Sequence, residues 1–400
     1  MALLAPVLLW LIASRSLVAY LVAAAPETAL MLRPHHPSAL VARAEKTIDV
    51  DKDPTQKSLE EAGGQLRDAL AAFPIDARAL RLFGQLSERE HDKASVARAM
   101  QAAARYSSQE TIAIDWLMRN SFINRDYHKA AYYADILLRT RPEAASFALP
   151  ILGRMAEDEV GKKEVEAIFA SGPPWRFWFF NELGMSVTNA RTPLELLLSL
   201  KDSSAPPTEG ELQAYILFLF QHNLYKFAYF AWRQFLPEDQ LTKTGLLFNG
   251  DFETKPSGVS FDWKLEPPDG AILDIGPRPD APGKNALFVE FGQGRVNFKG
   301  ASEMVVLPPG GYRLIGLYDG QIAGRRGMQW SVVCWGGATI GESPMILGAF
   351  PEPRQFEFAF KVPATNCDAQ IVRLDFVARS SSEQLVSGLI RFHDLSIARQ

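Results

Sequence analysis

The apolar residues follow two different patterns along the chain. Over about residues 26–242 they recur every three or four positions, with alanine-rich stretches and prolines between the runs, which predicts amphipathic helices. Over residues 243–400 they alternate with polar residues in short segments such as NALFVEFG and MQWSVVCW, separated by Gly/Pro turns. Such alternation is typical of strands with one buried face. We therefore predict a multidomain α plus β protein in which an antiparallel β-sandwich follows a helical domain.

The segment LLFNGDFE, residues 246–253, lies where the pattern changes. We interpret it as the first strand of the sandwich, turning at Asn249 and Gly250, a pair that tolerates positive φ. Together with a hydrophobic start of the chain, this gives three predicted parts: residues 1–25, 26–242 and 243–400.

The helical region carries a period close to 34 residues. Pro74 and Pro142 each follow a predicted helix, and they are 68 positions apart, which is twice the length of a tetratricopeptide repeat. Gly84 lies where such repeats place a small residue in their first helix. The region from about 43 to 142 resembles two tetratricopeptide repeats, flanked by degenerate ones. The resemblance implies an α-solenoid with a concave groove that binds a protein partner.

One helical segment, PPWRFWFFNELG at residues 173–184, holds more aromatic rings than one helix face can carry. Two interpretations stay open. The helix is buried between two layers, or part of it forms a docking surface.

The first residues, Ala2 to Ala25, are the most hydrophobic of the chain, and their length fits a membrane helix, although Arg15 interrupts them. Three interpretations stay open: an uncleaved signal anchor, a cleaved signal peptide, or the first helix of the repeat domain. We favour the anchor. It predicts inner-membrane association through residues 2–25 and a location in the bacterial cell envelope, facing the periplasm, with export as the alternative.

Composition excludes several classes of protein. The 400 residues are 47% hydrophobic and 22% charged, as expected of a folded chain. A formal net charge of −4 and the lack of a Lys/Arg run argue against a nucleic-acid partner. Two cysteines, Cys334 and Cys367, are too few for a disulfide framework or a structural zinc site. In an exported chain they would form one disulfide, and in the cytosol they would stay two buried thiols.

The order NGDFE (249–253), FDW (261–263), PPGGYRL (308–314) and FHDL (392–395) resembles jelly-roll carbohydrate-binding modules and the related galactose-binding-like sandwiches. The resemblance covers about residues 246–399. The whole architecture is similar to proteins of bacterial exopolysaccharide assembly and export. Both likenesses are analogies of fold, which do not establish function.

Many such modules hold a structural calcium between their first and last strands, and calcium takes six to eight oxygen ligands. The resemblance places Glu253 and Asp394 at matching positions, with Asp251 as a further ligand. His393 stands where many of these modules have a second aspartate. The alternative is that these carboxylates cap turns.

Sugar binding needs an aromatic plane beside hydrogen-bonding groups, since a pyranose has an apolar face and a hydroxyl rim. In MQWSVVCW and AQIVRLDFVA, alternation places Trp330 in the core and directs Gln329, Arg373 and Asp375 outward, together with Trp335. We predict that this outward face contacts a glycan. The alternatives are that it packs on the helices or is a solvated ion pair.

The chain has no nucleophile elbow, phosphate-binding glycine loop or metal-ligand spacing. We therefore predict a non-enzymatic adaptor of exopolysaccharide biosynthesis or export, whose solenoid binds a protein and whose sandwich contacts polysaccharide or secretion machinery. Two alternatives remain: an enzyme that modifies or cleaves polysaccharide, and a scaffold that binds no glycan.

Overall fold

The structure, a computed structural model, describes residues 16–50, 54–242, 244–292 and 294–400. Helices fill the first part of the chain and two antiparallel sheets the last part, so the predicted fold class is confirmed. By its contacts the chain forms two compact units, Met1–Asn189 and Ala190–Gln400.

The first unit consists of helices joined by short connections. Its α-helices are α1 (described over residues 16–24), α2 (Pro26–Leu32), α3 (Pro37–Glu45), α4 (Gln56–Ala72), α5 (Ala77–Arg89), α6 (Lys93–Tyr106), α7 (Thr111–Ile123), α8 (Tyr127–Thr140), α9 (Ala145–Ala156), α10 (Glu159–Ala170), α11 (Arg176–Asn181) and α12 (Leu183–Ser186). A π-helical turn, Lys46–Val50, follows α3, and a 3₁₀ turn, Pro142–Ala144, precedes α9.

Helix starts in this unit repeat at a fixed interval. The helices α5, α7 and α9 begin at Ala77, Thr111 and Ala145, each 34 residues after the one before. The helices α6 and α8 begin at Lys93 and Tyr127, again 34 residues apart. From α5 to α8 the helices therefore form two pairs of one repeat length, and α6 packs on α7 as α8 packs on α9.

Aspartates start three of these helices. The carboxylates of Asp76, Asp92 and Asp126 accept hydrogen bonds from backbone N–H groups three residues on, at 2.9, 3.1 and 3.3 Å. They satisfy donors that have no partner within the helix. Between α5 and α6 the Met100 side chain packs closely over Gly84, because a Cβ at Gly84 would lie only 2.9 Å from Met100 Cε.

A buried arginine ties four segments of this unit together. The Arg81 side chain is only 5% exposed, and its guanidinium donates to Glu45 at the end of α3, to Asp49 of the π-helical turn at 2.9 Å and to Glu110, the N-cap of α7, at 3.0 Å. A charge buried this far is tolerated only with partners on several sides.

The segment 173–184 combines both predicted features: some of its rings are buried, and others are exposed. Trp175, Phe179 and Phe180 are fully buried, and their rings pack around Phe169 of α10 at 5.0–5.9 Å. The other two rings, Phe177 and Trp178, are 48% and 36% exposed.

The predicted inner-membrane location is wrong for the part of the chain that is described. Residues 2–15 of the predicted anchor lie outside the described residues, and within the described ranges no helix has the length and apolar character to cross a bilayer. The described end of this segment is α1, whose Val18 is buried in one apolar cluster with Ala29 and Leu40.

The second unit begins with four helices: α13 (Thr192–Ser199), α14 (Glu209–Gln221), α15 (Tyr225–Arg233) and α16 (Glu238–Leu241). Ten strands follow: β1 (Lys264–Glu266), β2 (Ala271–Pro277), β3 (Asn285–Phe291), β4 (Gly300–Val305), β5 (Gly310–Gly324), β6 (Met328–Cys334), β7 (Thr339–Glu342), β8 (Gly348–Val362), β9 (Gln370–Phe376) and β10 (Val386–Arg399).

The strands form two five-stranded antiparallel sheets. Their orders are β1-β4-β9-β6-β7 and β2-β3-β10-β5-β8. The inner faces enclose one core, centred on Trp330, whose ring lies 5.8 Å from Trp263, 6.2 Å from Phe356 and 5.5 Å from Phe392.

The segment LLFNGDFE is a turn rather than the predicted first strand. The Phe248 N–H donates to the side chain of Glu303 at 2.8 Å. The side-chain amide of Asn249 donates to Thr254 O and accepts from Thr254 N–H. The predicted turn at Asn249 is present, with φ +50°. Side chains thus bond part of the backbone of this segment, and Gly250 O accepts from Leu395 N–H of the last strand at 2.8 Å.

Helices α14 and α15 pack on one end of the sandwich. Phe261 lies 5.6 Å from Phe220, 5.4 Å from Tyr229 and 5.6 Å from Trp232, and Trp232 lies 5.0 Å from Phe248. This aromatic cluster joins α14 and α15 to the sandwich, and both helices lie in the second compact unit, Ala190–Gln400.

Candidate functional site

The outer face of β6 and β9 carries three of the four predicted glycan-binding residues. Gln329 lies opposite Asp375, and Ser331 lies opposite Arg373. Arg373 Nε donates to Asp375 Oδ2 at 2.7 Å, the Ser331 hydroxyl donates to the same oxygen at 3.0 Å, and Gln329 Nε2 donates to Ser343 O at 2.7 Å. With Arg373 47% and Asp375 35% exposed, the group is a half-solvated ion pair whose hydrogen bonds are internal.

The fourth residue, Trp335, does not join this patch. It follows Ser331 by four residues on an extended chain, which separates their Cα atoms by about 13 Å. Its ring lies 5.6 Å from Phe220 of α14 and is 40% exposed. The predicted combination of an aromatic plane with the ion pair is therefore not formed, because a helix occupies one side of the tryptophan.

A disulfide joins Cys334 at the end of β6 to Cys367, which precedes β9, with their Cα atoms 5.0 Å apart. Both residues are buried. The Gln370 amide donates to Cys367 O at 2.6 Å and accepts from Leu307 N–H at 2.9 Å, so the bridge is part of a buried, fully bonded corner of the sandwich.

The three carboxylates predicted as calcium ligands each have other partners. Glu253 Oε1 accepts from Asn285 N–H at 3.2 Å and lies 3.6 Å from Lys284 Nζ. Asp251 accepts from Glu253 N–H at 3.3 Å, and Asp394 lies 3.4 Å from Arg278 Nη1.

These residues do not fit a calcium site. The ion needs six to eight oxygen ligands at 2.3–2.6 Å. Around Asp394 the nearest polar side chains instead present nitrogen atoms, Arg278 Nη1 and His393 Nδ1. Within the described ranges, no three His, Cys, Asp or Glu side chains are grouped as metal ligands.

A cleft that no sequence pattern indicates lies between β1 and β2, the edge strands of the two sheets. Its volume is about 580 Å³. The apolar part of its lining comprises Pro256, Leu265 and Ile275, which are partly exposed, and the rings of Phe252 and Trp263, which are fully buried in the core. The polar part comprises Glu253, Lys255, Ser257, Asp274 and Asn285.

Some polar groups of this edge cleft already have hydrogen-bond partners, and others do not. Ser257 bonds Asp262 at 2.9 Å, and Asp274 Oδ1 accepts from the next backbone N–H at 2.8 Å. Lys255 is exposed, and neither its ammonium nor the Asn285 amide has a hydrogen-bond or ion-pair partner among the described residues. These residues are spread over 33 positions, and only the approach of the two sheet edges brings them together.

A second concavity lies in the first unit, between α5, α6 and α7, with a volume of about 800 Å³. Its lining includes exposed Ile112 and Ile123, with 45% and 76% exposure, beside Trp116, whose indole donates to Glu88 at 2.9 Å. Lys93 also lines it. The surface therefore offers apolar contact next to charged side chains.

One carboxyl inside the sandwich is fully buried. Glu303 of β4 is 2% exposed, and its Oε2 atom has no hydrogen-bond partner. Burial raises the pKa of Glu303 well above its usual range, against the opposing effect of the Phe248 N–H and with a smaller rise from Asp262. The neutral acid is consequently favoured in the folded protein.

Comparison with solved structures returns carbohydrate-binding modules for the C-terminal β-sandwich. A family 4 module is 11% identical, with coverage of 38% of this chain and 99% of that chain and a TM-score of 0.28. A family 61 module in complex with beta-1,4-galactotriose is 16% identical, with coverage of 39% and 99% and a TM-score of 0.27. A family 16 module is 14% identical, with coverage of 39% and 100% and a TM-score of 0.27.

Sequence identities and TM-scores this low support no conclusion about the ligand or the binding residues of this chain. No protein-family model matches the chain, and no curated protein matches it.

Proposed function

We propose that this protein is a non-enzymatic adaptor whose sandwich binds a polysaccharide and whose helical repeats bind a protein. The sandwich shares the motif order of carbohydrate-binding modules, from NGDFE to FHDL. The location that we propose for the glycan is the edge cleft, not the face of Trp335, because the ring of Trp335 already packs against Phe220.

The observation that carries this proposal is the composition of the edge cleft. It combines an apolar wall with unpaired donors and acceptors from Lys255 and Asn285. A sugar ring needs such a combination, since its apolar face packs on carbon atoms while its hydroxyl groups exchange hydrogen bonds. A volume of about 580 Å³ lies within the usual range for small-ligand sites.

The test is affinity electrophoresis in gels containing β-1,4-galactan, xylan or alginate. The cleft is supported if one polymer retards the wild type and the double variant Lys255→Ala/Asn285→Ala binds that polymer with about tenfold or more lower affinity. The control is Lys361→Ala, an exposed lysine of β8. Release of oligosaccharide during incubation would instead establish the enzyme, and no retardation by any polymer would favour the scaffold.

For the first unit we propose a tetratricopeptide-like solenoid. The 34-residue spacing of helix starts and the close approach at Gly84 support it. Its partner would be an extended protein segment that inserts an apolar side chain beside Ile123 and Trp116 and an acidic one near Lys93. A photo-crosslinker at Ile123 should capture that segment, whereas one at Tyr132, which is 58% exposed and outside the groove, should not.

The cellular role that we propose is exopolysaccharide assembly or export. It rests on the similarity of architecture, helical repeats followed by this sandwich. Deleting the gene should reduce secreted polymer without reducing its intracellular precursors, and the Ile123→Asp variant should reproduce the defect. Unchanged secretion would remove this role while leaving glycan binding untouched.

A further inference from the structure

We infer that side-chain cations of the β2–β3 turn, above all Arg278, hold together the ends of the sandwich where the resemblance to carbohydrate-binding modules led us to expect calcium. The inference is independent of whether the sandwich binds a glycan.

The turn between β2 and β3 supplies one cation to each of two expected ligands. Arg278 follows β2 directly, and its backbone N–H donates to Lys284 O at 2.8 Å, which closes the turn. Lys284 Nζ lies 3.6 Å from Glu253 in the opening segment, and Arg278 Nη1 lies 3.4 Å from Asp394 in the last strand. The two carboxylates are thus bridged by one short turn.

Arg278 is held more firmly than an ordinary surface arginine. Its side chain is 11% exposed, and its guanidinium binds Asp280 through two bonds, Nε to Oδ1 at 3.2 Å and Nη2 to Oδ2 at 2.6 Å. The Asp280 carboxylate raises the pKa of Arg278. Such two-point pairing fixes orientation as well as charge.

The third nitrogen of Arg278 reaches a buried network. Nη1 donates to His393 Nδ1 at 2.8 Å, and His393 is 1% exposed. Nδ1 also lies 2.9 Å from Asp394 Oδ2, and Nε2 of the same ring lies 3.5 Å from Asp319 Oδ2. Asp319 in turn accepts from Arg391 Nη1 at 2.9 Å. The network links the β2–β3 turn to β10 and β5.

A calcium ion bound to Asp394 would lie within a few ångströms of the Arg278 guanidinium, and the two positive charges would repel each other. Displacing Arg278 would leave His393 and Asp280 without their cation. The bulge of β10 between His393 and Ser396, with Asp394 at φ +52°, is therefore stabilised by protein charges alone.

The experiment is thermal unfolding of the full chain in excess EDTA and in excess calcium, together with a calorimetric calcium titration. We expect the melting temperature of the wild type to be the same in both solutions and no heat of calcium binding. Arg278→Gln should lower the melting temperature of the sandwich by roughly 5–10 °C, and Arg278→Lys by less, because lysine keeps the charge without the two-point pairing.

The matched control is Arg313→Gln, whose arginine forms an exposed ion pair with Glu357 at 3.4 Å; it should change the melting temperature by about 1 °C or less. If Arg278→Gln does not fold, Arg278→Lys and the calcium titration still test whether Arg278, rather than calcium, stabilises this end of the sandwich. A calcium-dependent rise in the wild-type melting temperature, or an Arg278→Gln variant as stable as Arg313→Gln, would overturn the inference.

Discussion

The helical unit and the sandwich are stabilised by contacts of different range. In the first unit each helix packs mainly on its neighbours in sequence, as α5 does on α6 and α7 on α8. In the sandwich β10 pairs with both β3 and β5, so that the last strand lies between segments about 70 to 100 residues earlier. Damage should therefore remain local in the helices and spread through the whole sandwich, whose strands lose their neighbours together.

The largest expected effect is at the centre of the sandwich. Trp330→Ala removes a fully buried ring in contact with Trp263, Phe356 and Phe392 and should cost about 3–5 kcal/mol of unfolding free energy. Calorimetry should show one transition moved as a whole. Trp335→Ala, at a 40% exposed ring, is the control and should cost much less. A sandwich that melts in two steps would contradict the comparison.

The next largest loss of unfolding free energy is expected on removal of the disulfide, a cross-link that the described part of the helical unit lacks. The bridge closes a loop of 33 residues, which the chain-entropy relation converts to about 3–4 kcal/mol. The double variant Cys334→Ser/Cys367→Ser should lose that amount in a urea titration, and a reducing agent should destabilise the wild type but not the variant. Equal sensitivity of both proteins to the reductant would show that the bridge is not the cause.

A somewhat smaller loss is expected in the helical unit. Arg81→Met leaves Glu45, Asp49 and Glu110 without their shared cation and should cost about 2–3 kcal/mol, below the value for fully buried pairs because the carboxylates are partly exposed. Hydrogen exchange should increase in α3, α5 and the start of α7 only. Arg78→Met, an exposed partner of Glu45 alone, is the control. Faster exchange throughout the unit would contradict local damage.

The last expected effect depends on pH and is gradual rather than a fixed loss. The pKa of Glu303 is raised above its usual 4.5 by burial, so the folded state binds a proton that the unfolded state releases above about pH 4.5. Stability should then fall as pH rises, by at most about 1.4 kcal/mol per pH unit. Urea midpoints measured from about pH 5 to 8 should show this slope in the wild type and a flatter line in Glu303→Gln. Parallel lines would assign the slope to other groups.

Periodicity within a single strand or helix predicted correctly which side chains face the core. Alternation placed Trp330 inside and Arg373 outside, because neighbouring side chains in a strand point to opposite faces. The failures involve partners distant in sequence. The segment from Leu246 to Glu253 has the apolar residues of a strand, yet the side chain of Glu303, 55 residues after Phe248, takes its backbone N–H.

The sequence by itself determined where helices give way to strands and which strand faces are apolar, since periodicity and turn residues act over a few positions. Only the tertiary structure decided which edges meet to form the edge cleft, that Trp335 packs on Phe220, and that Arg278 binds the carboxylate of Asp394. The cleft residues span 33 positions, and the other two contacts join residues 115 and 116 positions apart. Nothing in the local spacing of charges or rings specifies these partners.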